Sequence, residues 1–208
     1  MSRIISLSVI TNSHLSALSR ACELAKRHWG LNISVTLFSS LPLDALTIKA
    51  KQLRKFYPLP HSPRQADYEA IVATPEFVDS SSCLLFFTRL VPACIYSELE
   101  TINFHPSLLP EHAGLRGYES AIAARQLAIT AHRVDASVDG GAILRQYAIS
   151  PYPENSSPAH LQKESSLLCS AAILSLLRDR VLHPFALVER FSSGQDCLKS
   201  ILAGKNLL

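Results

Sequence analysis

The first forty residues hold two apolar segments separated by a helical one, and this pattern constrains the fold more than any other feature of the chain. Residues 4–10, IISLSVI, form an apolar run of strand length, and residues 33–40, ISVTLFSS, form another. Between them, apolar side chains recur at helical spacing from Leu15 to Ala25, and Gly30 is a stop signal for a helix. A strand, a helix and a strand in this order predict a βαβ unit and hence a mainly parallel sheet.

Later segments continue the α/β pattern. Residues 43–56 look helical, and the prolines of residues 57–65 predict a loop. We predict further strands at 82–87, 101–105, 129–136 and 142–150, helices at 66–77, 118–128 and 157–179, and a short strand and a terminal helix within 183–208. Because the sequence shows no repeat, no low-complexity segment and no clear linker, we expect residues 1–208 to form one domain.

The composition narrows the class of protein. Hydrophobic residues make up 48% and charged residues 18% of the chain, which is typical of a globular protein rather than a disordered one. The net charge of +3 is small, so nucleic acid is not an expected partner. Five cysteines without a CxxC pair indicate reduced thiols and no metal site. No apolar run approaches a membrane span, and the expected location is the cytoplasm.

Three polar side chains stand out as candidates for chemistry: Asn103, His105 and Asp139. Asn103 and His105 are two apart at the end of a predicted strand, so an extended chain points both side chains to the same side. Ligands of open α/β sheets bind at the carboxyl ends of the strands, and Asp139 meets this rim if the turn at 138–141 lies there. An imidazole can pass a proton, a carboxylate can orient it, and an amide can donate to an oxyanion. This set suits acyl transfer through a tetrahedral intermediate.

Each of these residues also has an ordinary structural interpretation. A histidine near a strand end is often a structural or surface residue, and an aspartate before Gly-Gly is often part of a turn. The three residues alone therefore leave a catalytic site and a structural role both open.

Longer motifs around these residues resemble a known family. NFHPSLLP (103–110), followed by ITAHRVDASVDGGAILRQ (129–146), is similar to the pattern of formyltransferases that use 10-formyltetrahydrofolate, most of all to the glycinamide ribonucleotide formyltransferases. FTRLVP (87–92) resembles the family segment that precedes the first motif. The resemblance implies a Rossmann-like, open, mostly parallel twisted sheet with helices on both faces. It also implies an enzyme that moves a formyl group from 10-formyltetrahydrofolate to the primary amine of a small molecule, without a metal.

The resemblance assigns roles to individual residues. Asn103 and His105 are expected to polarise the formyl carbonyl, Asp139 to manage protons through a water molecule, and His132 to support the site or to serve as a buried structural histidine. The folate is expected to lie against two segments of the chain. In the first segment, packing in the core explains the side chains of Leu90 and Val91 equally well. These cofactor-binding residues are Arg89, Leu90, Val91, Asp135, Ala136, Ser137 and Val138.

The acceptor side departs from the family pattern. Asn12 and Ser13 occupy the turn that is rich in glycine in the family, and this chain has no glycine there. Their backbone amides are expected to face an anionic substrate group, or the two residues serve simply as a cap of the following helix. Glu164 falls near an acidic substrate contact of the family.

Candidate acceptors are glycinamide ribonucleotide, an amino sugar or another biosynthetic amine. A formyltetrahydrofolate hydrolase and a non-catalytic folate-binding relative are the alternatives. We expect a monomer or homodimer with no nucleic-acid or membrane partner.

Overall fold

The computed structural model describes residues 4–114, 116–179 and 188–204. Eight strands and seven helices are present within these ranges. The strands are Ile4–Thr11 (β1), Asn32–Ser39 (β2), Leu53–Pro58 (β3), Ser82–Phe86 (β4), Thr101–His105 (β5), Leu127–Arg133 (β6), Ile143–Ile149 (β7) and Val188–Arg190 (β8). The helices are Ser16–Trp29 (α1), Gln65–Val72 (α2), Pro75–Val78 (α3), Ala93–Glu98 (α4), Gly117–Ala123 (α5), Pro158–Asp179 (α6) and Gly194–Leu202 (α7).

The predicted βαβ unit at the start of the chain is confirmed. Strand β1 pairs in parallel with β2 on one side and with β4 on the other. Its last five residues are buried, as expected for a strand that is covered on both faces. Gly30 ends α1 with a positive φ of 64°, which glycine adopts without steric cost.

The sheet is mixed, and the strands follow the order β3-β2-β1-β4-β5-β6-β7-β8. The pairs β2–β3, β4–β5 and β7–β8 are parallel, whereas β6 and β7 are antiparallel. The mostly parallel α/β sheet predicted from the sequence is therefore confirmed, and β6–β7 is an antiparallel pair within it.

The chain divides into two compact units. The first unit consists of residues 1–103 and 133–136, and its core includes Ile10, Phe38 and Phe77. The second consists of residues 104–132 and 137–208. In the second unit, the middle of α6 is buried without interruption from Leu167 to Leu177. Strand β5 contributes its first three residues to one unit and its last two to the other, and the expectation of a single domain stays a prediction.

Several local predictions are wrong. The residue that caps α1 is Leu15, not Asn12 or Ser13, because the chain bends at residues 12 and 13 and the helix begins only at Ser16. The helix expected over 43–56 is instead a short 3-10 helix at Leu43–Ala45 followed by β3. The helix expected over 118–128 ends at Ala123, where the backbone turns into β6.

The predictions for the chain's end are met in part. Strand β8 and helix α7 lie within the segment for which a strand and a terminal helix are expected. Residues 183–187 and 205–208 of that segment lie outside the described residues.

Candidate functional site

The candidate site in the second unit begins at the loop that follows β5. Three hydrogen bonds hold this loop on β6 and β7. Thr130 Oγ1 donates to the Ser107 carbonyl at 2.6 Å and accepts from the Leu109 amide at 3.3 Å. Gln146 Nε2 donates to the Leu109 carbonyl at 2.9 Å. Thr130 and Gln146 are buried, and buried polar groups that are satisfied in this way fix one conformation of the loop.

The loop returns to His105 through the backbone of His112. His105 Nε2 donates to the His112 carbonyl at 2.8 Å, and Ser107 Oγ donates to the same oxygen at 2.8 Å. A carbonyl oxygen only accepts hydrogen bonds, so the proton must be on Nε2 of the His105 ring. The other ring nitrogen, Nδ1, is left to interact elsewhere.

Asp139 faces that second nitrogen. Its Oδ2 lies 3.4 Å from His105 Nδ1 and accepts a hydrogen bond from the Gly114 amide at 2.9 Å. Its Oδ1 lies 3.7 Å from Nε2 of His132, which is buried. The structure thus brings together His105 and Asp139, as expected from the rim argument, and adds His132 on the other side of the carboxylate.

Asp139 has a backbone conformation that is uncommon for a residue with a side chain. Its φ is 53°, in the left-handed region, which aspartate tolerates better than most residues because its side chain can hydrogen-bond locally. Residues in such conformations concentrate at functional sites. This conformation holds the carboxylate against the two imidazoles.

This arrangement can store and move a proton. An imidazole with Nε2 tied to a carbonyl presents Nδ1 as its active nitrogen, and the Asp139 carboxylate lies 3.4 Å from that nitrogen. The side chains of His105 and Asp139 are 8% and 14% exposed. Solvent therefore screens the electrostatic interaction of this pair with a reacting group less than it would at the surface.

Asn103 lies in the first unit, on β5, where it pairs with Leu85 of β4. The residue is half-buried. Asn103 and His105 lie two residues apart on the same strand, as the sequence predicts. Its role beside the imidazole stays a prediction.

The residues expected to bind folate differ in exposure. In the segment before β5, Arg89 is exposed and Leu90 is 74% exposed, whereas Val91 packs against the core of the first unit. In the loop before Asp139, Asp135, Ala136 and Ser137 are exposed, and Val138 is 55% exposed. Exposed Leu90 and Val138 are compatible with ligand contact, while core packing alone accounts for Val91.

The backbone amides of Asn12 and Ser13 have partners within the first unit. The Asn12 amide donates to the Phe86 carbonyl at 3.1 Å, and the Ser13 amide donates to Thr11 Oγ1 at 2.9 Å. Asn12 Nδ2 also donates to Thr88 Oγ1 at 2.8 Å. An anion would have to displace these acceptors to use the two backbone amides, so contact of Asn12 and Ser13 with a substrate stays a prediction that the backbone does not favour.

Glu164 has a structural partner in the second unit. Its Oε2 accepts a hydrogen bond of 2.5 Å from the amide of Gly194, the first residue of α7. Glu164 is buried, and a carboxylate at a helix N-terminus is stabilised by the helix dipole. Capping of α7 therefore explains this acid, and the expected substrate contact stays a prediction.

The cysteines have no part in this site. All five are free thiols. Burial raises the pKa of Cys83 to about 12, and a thiol that stays protonated is a poor nucleophile.

Within the described ranges, no group of three or more His, Cys, Asp or Glu side chains is placed to hold a metal ion. None of the helices in those ranges is both long and apolar enough to cross a membrane.

A comparison with family models matches residues 39–171, more than half of the chain, to the family described as "Formyl transferase". The chain belongs to the formyl transferase family. The matched range contains Asn103, His105, His132, Asp139 and Glu164. The segment 1–38, with Asn12 and Ser13, lies outside it.

Two curated proteins are similar to parts of this formyl transferase. A phosphoribosylglycinamide formyltransferase of Haemophilus influenzae is 47% identical over 57 residues, which cover 26% of this chain and 27% of that protein. A trifunctional purine biosynthetic protein adenosine-3 of Drosophila melanogaster is 35% identical over 85 residues, which cover 39% of this chain and 6% of that protein. The similarity thus spans about a quarter or less of each relative.

Solved structures share the fold over most of the chain. A phosphoribosylglycinamide formyltransferase of Anaplasma phagocytophilum superposes with a TM-score of 0.69 at 19% identity, covering 88% of this chain and 96% of that one. The enzyme of that name from Campylobacter jejuni superposes with a TM-score of 0.72 at 18% identity, covering 86% and 99%. At these identities the likeness establishes the formyltransferase-type fold predicted from the sequence.

Proposed function

We propose that this chain is an N-formyltransferase that moves a formyl group from 10-formyltetrahydrofolate to the primary amine of glycinamide ribonucleotide, a step of purine biosynthesis. The observation that carries the proposal is the contact between His105 Nδ1 and Asp139 Oδ2 at 3.4 Å within the range that matches the formyl transferase family. The choice of glycinamide ribonucleotide over other amines rests on the names of the similar proteins.

In the proposed reaction, the amine nitrogen attacks the formyl carbon directly and forms a tetrahedral intermediate. The carbonyl oxygen gains negative charge, which the Asn103 amide and the His105 imidazole stabilise as hydrogen-bond donors. Nδ1 is the ring nitrogen available for this role, because Nε2 is held by the His112 carbonyl. Nδ1 donates only when it carries a proton of its own, that is, when the ring is doubly protonated.

The intermediate collapses when the bond from carbon to N10 of the folate breaks. The attacking amine loses a proton and N10 gains one, so the net transfer needs a group that accepts and returns protons. Asp139 fills this role through His105 or through a water molecule. No covalent enzyme intermediate is needed, and no nucleophilic serine or cysteine takes part.

The folate is proposed to contact Arg89, Leu90 and Val91 in the first unit and residues 135–138 along the loop before Asp139. Exposed apolar side chains such as Leu90 and Val138 support this part of the proposal, since a flat ring system is bound by apolar surface and backbone hydrogen bonds. Asn12, Ser13 and Glu164 are the proposed acceptor contacts.

One assay tests the reaction against its alternatives. The purified protein is incubated with 10-formyltetrahydrofolate, with and without glycinamide ribonucleotide, and the formation of tetrahydrofolate and formylated amine is followed. Turnover that requires the ribonucleotide supports the proposal. Turnover in water alone identifies a hydrolase, folate binding without turnover identifies a non-catalytic relative, and turnover only with another amine rejects the proposed acceptor.

A further inference from the structure

Gly117 is the first residue of α5, and it packs directly against the ring of His105. A Cβ atom built on Gly117 would lie 2.1 Å from the His112 carbonyl oxygen, 2.6 Å from His105 Nε2 and 2.9 Å from Ser107 Oγ. These distances are far below van der Waals contact, and the nearest atom belongs to the backbone. Glycine is required here by lack of space.

All three atoms that a side chain would displace belong to one hydrogen-bonded group. The His112 carbonyl accepts from both His105 Nε2 and Ser107 Oγ, and Gly117 lies against that group. Moving the carbonyl or the ring by about 1 Å would break the bond that places the proton on Nε2.

The tautomer matters because the two ring nitrogens have different tasks. If Nε2 were released, the neutral ring could carry its proton on Nδ1 or on Nε2, and its orientation toward Asp139 would no longer be fixed. With Nε2 held, Nδ1 always faces the carboxylate. Second partners that fix a histidine tautomer commonly control its chemistry in this way.

We propose that Gly117 is a positioning residue, whose missing side chain lets the His112 carbonyl hold the His105 proton on Nε2 and reserve Nδ1 for Asp139 and the substrate. This inference rests on the proposed function, because the value of a fixed tautomer depends on the proton transfer that His105 performs.

The unmodified protein provides the first test. We expect ¹⁵N NMR of ring-labelled histidine, with the His105 signals assigned by their loss in His105→Gln, to show a protonated Nε2 at neutral pH. A neutral His105 ring that is protonated on Nδ1, with a bare Nε2, overturns the inference without any variant at Gly117.

Gly117→Ala provides the second test. We expect the variant to lose the single Nε2-protonated form and to show about a 100-fold lower kcat, as for a displacement of about 1 Å in a catalytic group. KM for folate and amine should change little, because the clash affects the chemical step rather than binding. The wild-type tautomer together with a wild-type kcat in Gly117→Ala overturns the inference.

A stability control separates positioning from general damage. Leu198→Ala truncates a buried side chain of α7 and should lower the midpoint of urea unfolding while keeping the His105 tautomer and kcat. If the wild-type protein transfers no formyl group, the proposed function fails, while the NMR spectra still decide whether Gly117 sets the tautomer.

Discussion

Asp139 combines a left-handed backbone with a carboxylate that lies close to three groups. Its Oδ2 accepts from the Gly114 amide and faces His105, while its Oδ1 faces His132. A left-handed residue costs about 1 to 2 kcal/mol for most side chains and less for aspartate or asparagine. Asparagine can keep both the backbone conformation and the hydrogen bond to Gly114, so a substitution can remove the charge while it keeps the shape.

We predict that Asp139→Asn lowers formyl transfer by about 100- to 10,000-fold, the range for loss of a positioned acid or base. The thermal midpoint should stay close to wild type, because asparagine suits the left-handed conformation. The measurements are tetrahydrofolate release in steady state and a thermal melt followed by circular dichroism.

Asp44→Asn is the matched control, since Asp44 is an exposed acid of the short 3-10 helix in the first unit. It makes the same change of charge and should keep wild-type activity. Activity of Asp139→Asn within a few-fold of this control would show that Asp139 has only a structural role.

The residues of the site differ in how well their roles can be predicted from the sequence. His105 is predictable because it ends a strand of an α/β sheet, where ligands bind, and Asp139 because it is a chemically distinctive residue in a turn. Gly117 and His112 are not, because one acts through a missing side chain and the other through a backbone carbonyl. The only signal for Ser107 was its place in the motif NFHPSLLP, which gave it no role.

At the scale of elements, the turn between β1 and α1 shows how packing can override local preference. Leu15 has a φ of 61° and caps α1 without a side-chain hydrogen bond, although polar residues precede it. It is 4% exposed. Burying a leucine contributes about 2 to 3 kcal/mol, which exceeds the cost of the left-handed backbone at about 1 to 2 kcal/mol. Burial therefore decides the conformation.

We predict that Leu15→Gly destabilises the protein by about 1 to 3 kcal/mol in urea unfolding, although it relieves the backbone. Loss of the buried side chain costs about 2 to 5 kcal/mol, and the relief returns only part of that.

Gly30→Ala isolates the backbone contribution for comparison. Gly30 has a φ of 64° and no atom within 4 Å of an added Cβ, so this variant should cost about 1 kcal/mol from the left-handed backbone alone. Stabilisation by Leu15→Gly would mean that strain, rather than burial, dominates at the turn.

Strand β3 forms in a segment whose local sequence pattern predicts a helix. Residues 43–56 carry apolar residues at spacings that suit a helix, yet Leu53–Pro58 pairs with β2 at the edge of the sheet. None of its residues is fully buried, so the alternation that marks a strand is weak. Pairing with β2 determines the conformation of this segment, and a local sequence pattern does not predict such pairing.

The carboxyl end of α6 is held on β7 by an ionic network around Asp179. Arg145 of β7 donates to Asp179 and, through Nε, to Ser175 Oγ at 2.8 Å. Arg178 Nε donates to Asp179 Oδ1 at 2.7 Å. Burial raises the pKa of the Asp179 carboxyl, but hydrogen bonds from Arg178 and Arg145 outweigh it and hold the pKa below its ordinary value.

We predict that Asp179→Asn costs about 2 kcal/mol of unfolding free energy at pH 7, the scale of hydrogen bonds to a charged group. Because the folded-state pKa is depressed, this stabilisation is present above the unfolded pKa of about 4 and is lost as pH falls through the folded value. Urea unfolding of both proteins at pH 7 and at pH 3 measures it. A difference that stays constant between the two pH values would contradict the ionic explanation.

At the scale of the whole molecule, neither unit is one continuous stretch of chain. The first unit includes residues 133–136, which follow residues 104–132 of the second unit in the sequence. Strand β5 contributes residues to both units. Within the first unit, residues 133–136 return to β5 through a hydrogen bond from the Val134 amide to the Thr101 carbonyl at 2.9 Å. A chain that crosses between units three times favours unfolding as one cooperative domain.

We therefore predict one unfolding transition, and Trp29 provides the test because it is the chain's one tryptophan and belongs to the first unit. Leu174→Ala truncates a fully buried residue of α6 in the second unit and should cost about 2 to 5 kcal/mol. In a single cooperative domain, this variant shifts the urea midpoint seen by Trp29 fluorescence as much as that seen by far-ultraviolet circular dichroism. Leu18→Ala, fully buried in α1 of the first unit, is the matched control that must shift the Trp29 signal in any case. If Leu174→Ala leaves the Trp29 transition in place while the circular dichroism transition splits, the two units unfold separately and the expectation of one domain is wrong.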